Sequence, residues 1–183
     1  RRQNRGAPAK LGNLPTLYSR LDHRWLRPGD DLNIGMIHFN IWMFPVAAAF
    51  DRAIEEFQGA RGMIIDLRGN LGGVGGMIMG ISGHFLDQSV SLGTFKTRDS
   101  ELRLFSNPRR VSASGKRVTP YSRPVAILTD SISLSAAEVF AGGMQDIKRA
   151  RVFGDTSGGQ ALPALFDRLP NGDVLYHAFA DFT

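Results

Sequence analysis

Residues 62–73, GMIIDLRGNLGG, combine two features that decide the fold. GMIIDL is a continuous apolar run of strand length, and the glycine loop RGNLGGVGG separates it from a helix-like segment, MIMGISGHFL. The same order recurs at residues 124–147, where the apolar run PVAILTD, the turn SISLS and the helical pattern AAEVFAGGMQDI follow one another. Strands that alternate with helices predict an α/β fold whose functional loops lie at the carboxyl ends of the strands.

The segments on either side fit the same architecture. Residues 11–22 and 33–42 are short alternating runs and predict strands, as does RVFG at residues 151–154. Residues 45–58 predict a helix, because their apolar side chains have the spacing of one helix face: Ala49, Phe50, Ala53, Ile54 and Phe57. Apolar runs on both sides of Pro170-Asn171-Gly172 predict a β-hairpin.

The size of the chain favours a single domain. Its 183 residues, 43% of them apolar, can bury one substantial core. We therefore predict one domain over residues 1–183, with a flexible start over residues 1–10. RRQNRGAPAK has no apolar core of the kind a signal peptide needs, and the chain stops in mid-pattern at DFT, so we expect a fragment of a longer chain. No stretch reaches the length of a membrane span.

The basic residues are concentrated in one segment. The formal net charge is +5, and many of the Lys and Arg residues lie between residues 96 and 123, a stretch broken by Pro108, Gly115 and Pro120. This pattern predicts a basic surface excursion. Aromatic residues are sparse there, so we expect the excursion to be solvated and not to bind nucleic acid. The absence of cysteine excludes disulfides and thiolate metal sites, and no H-E-x-x-H or similar cluster is present, so no metal or other cofactor is expected.

The glycine loop admits three interpretations. A dinucleotide loop would need G-x-G-x-x-G and a phosphate loop would need Lys-Ser/Thr, and neither pattern is present. A tight turn explains only one or two of the five glycines, which are Gly69, Gly72, Gly73, Gly75 and Gly76. The third interpretation is a loop whose backbone N–H groups face a reacting oxyanion, because glycine lets a substrate approach closely. That interpretation requires a nucleophile nearby.

Three serines at alternate positions are candidates for the nucleophile. Ser131 and Ser133 lie in the turn, where serine commonly bonds its own backbone or caps a helix, so we expect them to be structural. Ser135 begins the helix three residues before Glu138, so its hydroxyl and the Ala136 N–H lie where the helix dipole favours negative charge. Spacing alone leaves the role of Ser135 open.

GMIIDLRGNLGG together with PVAILTDSISLSAAEVFAGGMQDIKRARVFGDTSGG resembles the C-terminal processing (tail-specific) serine protease family, which includes tricorn and the interphotoreceptor retinoid-binding protein modules. The resemblance covers residues 33–183, including the LPNGDVLYHAFADF hairpin. It implies a crotonase/Clp-protease-like α/β core with ββα units and helices packed on a twisted sheet. It also implies that Ser135 is the nucleophile and that the oxyanion hole is the Ala136 N–H with an N–H at Gly72 or Gly73.

The general base is where the sequence departs from the family. The processing proteases carry a Lys in T-x-G-K-G, whereas GDTSGGQALP places Gln160 at that position, and an amide cannot accept the proton. The tricorn branch resembles a Ser/His/Glu arrangement, whose base would lie outside this chain. His38 and His177 in predicted strands are weak alternatives, while His84 and His23 show no partner in the sequence.

The leading hypothesis is a serine endopeptidase of the C-terminal processing type that cleaves protein or peptide substrates by acyl transfer through Ser135. The alternative is a catalytically silent peptide- or ligand-binding module on the same fold, and a crotonase-like acyl-CoA enzyme is less favoured because it would not need Ser135. The activity of the isolated chain stays open. The family resemblance further implies PDZ or other domains in the parent chain and an extracytoplasmic location, periplasmic or secreted, in a bacterium.

Overall fold

The computed structural model describes residues 6–10, 16–26, 32–112 and 114–183. Parts of the predicted flexible start and of the first predicted strand, residues 1–5 and 11–15, lie outside the described residues. The described residues form these strands and α-helices: β1 (Ala7–Ala9), β2 (Leu17–Ser19), β3 (Leu21–Leu26), β4 (Ile34–Phe39), α1 (Phe44–Glu56), β5 (Gly62–Asp66), α2 (Met77–Ser82), β6 (Ser91–Lys96), β7 (Glu101–Phe105), β8 (Val125–Thr129), α3 (Ala136–Asp146), β9 (Arg151–Gly154), β10 (Ala164–Arg168), β11 (Val174–Ala178) and β12 (Asp181–Phe182).

A five-stranded sheet is the centre of the fold, with the strand order β3-β4-β5-β8-β9. Strands β4, β5, β8 and β9 are parallel, and β3 pairs antiparallel with β4 at one edge. Ile37 on β4, Ile65 on β5 and Ile127 on β8 are paired neighbours and are fully buried. Continuous apolar runs are typical of parallel strands covered on both faces, so the predicted α/β architecture is confirmed.

The helices pack an aromatic core against this sheet. Phe39 at the end of β4 makes edge-to-face contacts with Trp42 and with Phe50 of α1, at centroid distances of 5.0 and 6.0 Å, and Trp42 contacts Phe140 of α3 at 5.3 Å. All four side chains are fully buried. Phe50 belongs to the predicted apolar face of α1, and Phe140 lies in the segment predicted as the helix α3, so these side chains position the two helices. Within the described ranges, no helix is long and apolar enough to cross a membrane.

The carboxyl-terminal hairpin forms around the predicted turn, and a separate short strand follows it. Strands β10 and β11 pair antiparallel on either side of Asn171-Gly172, as predicted. Strand β11 stops at Ala178, and Asp181–Phe182 forms β12, which pairs with β6 in a separate three-stranded sheet. The Phe182 ring packs on Phe95 at 5.4 Å, in the space left by the missing side chain of Gly93.

The basic excursion over residues 96–123 includes a strand and side chains that contact the core. It contains β7, which pairs with β6, and its polar side chains include several that hold the fold together. The Arg109 guanidinium lies 2.5 Å from the carboxylate of Asp51 in α1, and Tyr121 is buried with its hydroxyl donating to the Ala60 carbonyl at 3.0 Å. Arg109 therefore shows that part of the positive charge in this segment lies in contacts that stabilise the fold.

Candidate active site

The glycine loop and the serine turn follow β5 and β8, which are adjacent parallel strands, and hydrogen bonds join the two loops directly. The Leu134 N–H donates to the Asn70 carbonyl at 2.9 Å. The Ser133 hydroxyl donates to the Leu67 carbonyl at 2.8 Å. The Asp130 carboxylate accepts the Gly69 N–H at 3.0 and 3.1 Å. The structure therefore brings together the two loops that the sequence placed at this edge of the sheet.

The three serines are placed differently. Ser131 is exposed, and Ser133 is fully buried with its hydroxyl also accepting the Asp130 N–H at 3.0 Å, which fits the structural part expected for it. Ser135 is half-buried and is the N-cap of α3, with φ 52° and ψ −118°. A positive φ is uncommon outside glycine, and such a conformation costs about 1–3 kcal/mol and persists only where the surrounding contacts impose it.

The Glu138 carboxylate is a contact point for three backbone N–H groups. Its Oε2 atom accepts the N–H of Ser135 at 2.7 Å and that of Gln160 at 2.8 Å, and its Oε1 atom accepts the N–H of Gly159 at 2.7 Å. These bonds hold the strained backbone of Ser135 and bring the segment after β9 to the start of α3. The sequence marked Glu138 by its spacing from Ser135 and did not indicate its bonds to Gly159 and Gln160.

The glycine loop approaches Ser135 closely at Gly72. A Cβ atom added at Gly72 would lie 2.6 Å from the Ser135 Cβ and 3.1 Å from the Ala136 nitrogen. Gly72 and Gly73 have φ of 78° and 138°, so both positions favour glycine for backbone conformation as well as for space. A Cβ at Gly73 would lie 2.3 Å from the Trp42 carbonyl oxygen.

The backbone N–H groups of this loop differ in what they bond. The Gly72 N–H donates to Oδ1 of Asn70 at 2.9 Å. The peptides around Gly73 are tied to Trp42, because the Trp42 N–H donates to the Gly72 carbonyl at 2.7 Å and the Val74 N–H donates to the Trp42 carbonyl at 2.8 Å. Neither the Gly73 N–H nor the Ala136 N–H has an acceptor within the part of the chain that the structure describes. Two unpaired donors therefore lie on the loops that meet at Ser135.

Gln160 lies at the site through its backbone. Its N–H bonds to Glu138, whose carboxylate also bonds to Ser135, so position 160 is held against the start of α3 while its side chain is exposed. The side-chain amide has no basic nitrogen that could take the proton of a serine hydroxyl.

The histidines all have partners other than Ser135. Nε2 of His177 lies 2.8 Å from Asp167 and its Nδ1 lies 3.1 Å from the Ala178 carbonyl; the Asp167 hydrogen bond raises the pKa of His177. Nδ1 of His38 lies 3.1 Å from the Asp66 carbonyl. His84 and His23, for which the sequence shows no partner, lie 2.8 and 3.0 Å from Asp51 and Glu56. These carboxylates come from α1, which is distant in sequence, so spacing could not reveal them.

The strand end before the glycine loop carries an ion pair between a buried carboxylate and an exposed arginine. Arg68 binds the Asp66 carboxylate with two hydrogen bonds of 2.8 Å, and the Asp66 side chain is buried. Burial raises the pKa of Asp66, but the hydrogen bonds and charge of Arg68 outweigh it and hold the pKa below its ordinary value. Across the described residues, no group of three or more His, Asp or Glu side chains is placed to hold a metal ion.

This ion pair predicts an acid-sensitive contribution to stability. A carboxyl whose folded pKa is depressed stabilises the protein above its unfolded pKa and stops doing so as the pH falls through its folded pKa. We expect Asp66→Asn to lower the free energy of unfolding at pH 7 and to flatten its decline between about pH 5 and pH 2. Urea unfolding at several pH values measures both, with the exposed Asp99→Asn as the control. An unchanged pH slope in Asp66→Asn would contradict the role of this pair.

Comparison with known proteins gives a family match over most of the chain. Residues 33–183 match the sequence model described as Peptidase family S41. A carboxyl-terminal-processing protease from Synechocystis is 29% identical over 164 residues, which cover 89% of this chain and 36% of the relative. The carboxy-terminal processing protease CtpA of Bacillus subtilis is 28% identical over 134 residues, which cover 71% of this chain and 27% of the relative. The chain thus spans about a third of the length of these relatives.

Solved structures share the fold. A photosystem II D1 C-terminal processing protease superposes with a TM-score of 0.69 at 20% identity, over 90% of this chain and 43% of that one. The tricorn protease superposes with a TM-score of 0.53 at 20% identity, over 78% of this chain and 13% of that one. The predicted crotonase/Clp-protease-like core is therefore confirmed, as is the family resemblance drawn from the sequence.

Proposed function

The chain belongs to peptidase family S41, and from that premise we propose that it is the core of a serine peptidase that hydrolyses peptide bonds by acyl transfer. Ser135 is the nucleophile, and the N–H groups of Gly73 and Ala136 stabilise the oxyanion. The observation that carries the proposal is the pair of unpaired N–H donors on the loops that meet at Ser135. Preorganised donors of this kind stabilise the charge that develops on the carbonyl oxygen in the transition state.

The reaction follows from these roles. A base takes the proton of the Ser135 hydroxyl as Oγ attacks the carbonyl carbon of the scissile peptide bond, and the carbonyl oxygen takes the negative charge between the two N–H donors. Collapse of this intermediate expels the amine, which takes up that proton from the base, and leaves an ester on Oγ. Water then attacks the ester by the same route, releasing the carboxylic acid and restoring the hydroxyl.

The proton acceptor is not Gln160, because an amide is not basic. The four imidazoles described above bond to other groups, and none of them is joined to Ser135 by a hydrogen bond among the described residues. The family relatives are much longer than this chain. We therefore propose that the base comes from a part of the protein beyond these 183 residues.

The proposed substrates are proteins or peptides. A catalytically silent binding module on the same fold gains no support from the relatives, which are named as proteases. Those relatives are bacterial, and another is a chloroplastic carboxyl-terminal-processing peptidase of Arabidopsis thaliana. We propose an extracytoplasmic location for this protein, as the family resemblance implies. We also propose that residues 1–183 form one domain and that the full-length protein carries a PDZ or other domain elsewhere.

Labelling with a fluorophosphonate tests the proposal. In the full-length protein, we expect the reagent to modify one residue, which peptide mapping by mass spectrometry identifies as Ser135, and peptide hydrolysis to be lost in proportion to labelling. Excess peptide substrate should slow the reaction, because both compete for the same hydroxyl. Hydrolysis that persists after complete labelling of Ser135, or a label on another serine, would overturn the assignment.

A further inference from the structure

Asn70 is a buried polar residue that connects three segments around the candidate site: the end of β4, the glycine loop and the serine turn. It is fully buried. Its side chain donates from Nδ2 to the Phe39 carbonyl at 2.8 Å and accepts the Gly72 N–H on Oδ1 at 2.9 Å. Its own carbonyl accepts the N–H of Leu134, the residue before Ser135, at 2.9 Å. One residue therefore contacts the end of β4, the glycine loop and the serine turn.

The side chain of Asn70 also makes the N–H groups of Gly72 and Gly73 unequal. Gly72 and Gly73 are neighbours in the glycine loop, and the structure gives their N–H groups different surroundings. The Asn70 amide oxygen takes the Gly72 N–H, and the pairing of Trp42 with the peptides on either side of Gly73 leaves the Gly73 N–H unpaired. The bond to the Phe39 carbonyl fixes the orientation of the amide, because it requires Nδ2 on that side and therefore Oδ1 toward Gly72.

We propose that Asn70 is a positioning residue for the oxyanion hole, which selects the Gly73 N–H as the donor by holding the Gly72 peptide through its side chain. This inference rests on the proposed acyl-transfer function. Asn70 acts on the reacting atoms only through Gly72 and Gly73. Its replacement should therefore weaken stabilisation of the tetrahedral state while leaving the binding of an unreacted peptide nearly unchanged.

The test compares two variants with a matched control. Asn70→Asp keeps an acceptor for the Gly72 N–H but, when ionised, loses the donor to Phe39 and places a charge behind the oxyanion hole. Asn70→Ala removes both bonds without a charge. The control is Ser106→Ala, because Ser106 is also buried and its hydroxyl also donates to one carbonyl, that of Gln88, and accepts one N–H, that of Val90.

For a peptide substrate of the full-length protein, we expect kcat to fall by about 10²-fold or more in both Asn70 variants, with KM within about threefold of the unsubstituted protein. The inhibition constant of a peptide boronic acid, whose adduct with serine is tetrahedral, should rise in parallel with the loss of kcat. Ser106→Ala should change neither quantity. If Asn70→Asp fails to fold in a thermal unfolding assay, Asn70→Ala decides the matter alone.

The outcomes separate this inference from the function on which it rests. An unsubstituted protein that hydrolyses peptides, with folded Asn70 variants that keep its kcat, would overturn the positioning role and leave the peptidase proposal intact. The same holds if KM rises as much as kcat falls, since that would indicate general damage to the peptide site. An unsubstituted full-length protein without Ser135-dependent hydrolysis would overturn the proposed function itself, and with it this role.

Discussion

Replacing Ser135 by Ala is expected to abolish peptidase activity in the full-length protein. Loss of the nucleophile in a serine peptidase lowers kcat by about 10⁶-fold, because only the oxyanion hole and substrate binding then remain. Peptide affinity should change little, since Oγ forms its covalent bond only during the reaction. Steady-state hydrolysis of a peptide and its equilibrium binding, measured on the same preparation, separate the two effects.

The neighbouring serines provide the controls. Ser131→Ala, at an exposed position, should leave activity and stability nearly unchanged. Ser133→Ala removes the buried hydroxyl that joins Leu67 to Asp130, so we expect a loss of about 1–3 kcal/mol in the free energy of unfolding. Equal loss of activity in the variants of Ser131 and Ser135 would contradict the assignment of the nucleophile.

The strained backbone of Ser135 distinguishes Ala from Gly at this position. Both variants lack the hydroxyl and should be inactive. Glycine adopts a positive φ without the steric penalty that a Cβ carries, so Ser135→Gly should be more stable than Ser135→Ala by about 1 kcal/mol or more. Serine at position 135 would then lower the stability of the protein relative to glycine. Its presence there despite this loss supports a functional role for the Ser135 hydroxyl.

Much of the fold could be predicted from local sequence patterns because those patterns are strong here. The apolar runs that became β5 and β8 are continuous, and the helix faces containing Phe50 and Phe140 repeat with helical spacing. β12 could not be predicted this way, since its pairing with β6 depends on Phe182 packing into the space over Gly93, which is remote in sequence. β7 was hidden for a similar reason, because its short alternating pattern lies within a stretch dominated by charge.

In the candidate site, too, local motifs predict some features, while contacts between distant segments decide others. The family motifs predicted Ser135 as the nucleophile and left the oxyanion donor open between Gly72 and Gly73, because the motifs specify a serine and two adjacent glycines. The choice itself depends on the Asn70 side chain, whose orientation follows from a bond to Phe39 on another strand. The Glu138 contacts with the segment at residues 159–160 are likewise tertiary. Hydrogen bonds between segments that are distant in sequence leave no periodic pattern in it.

Gly73→Ala is expected to lower kcat by about 10²–10³-fold, the usual effect of losing one oxyanion donor. The added methyl group would lie 2.3 Å from the Trp42 carbonyl oxygen, and φ of 138° is strained for alanine, so the peptide that carries the Gly73 N–H must shift. KM should change much less than kcat, because the donor acts mainly in the transition state.

Gly80→Ala is the matched control for this substitution. A methyl group at Gly80 meets no atom within 4 Å, and the residue lies inside α2, where alanine is the better helix former by about 1 kcal/mol. It should therefore keep full activity with equal or greater stability. Thermal unfolding of both variants shows whether Gly73→Ala remains folded at the assay temperature. A folded Gly73→Ala protein with unchanged kcat would mean that another group donates a hydrogen bond to the oxyanion. The Gly72 N–H could do so only if it broke its hydrogen bond to the Asn70 side chain.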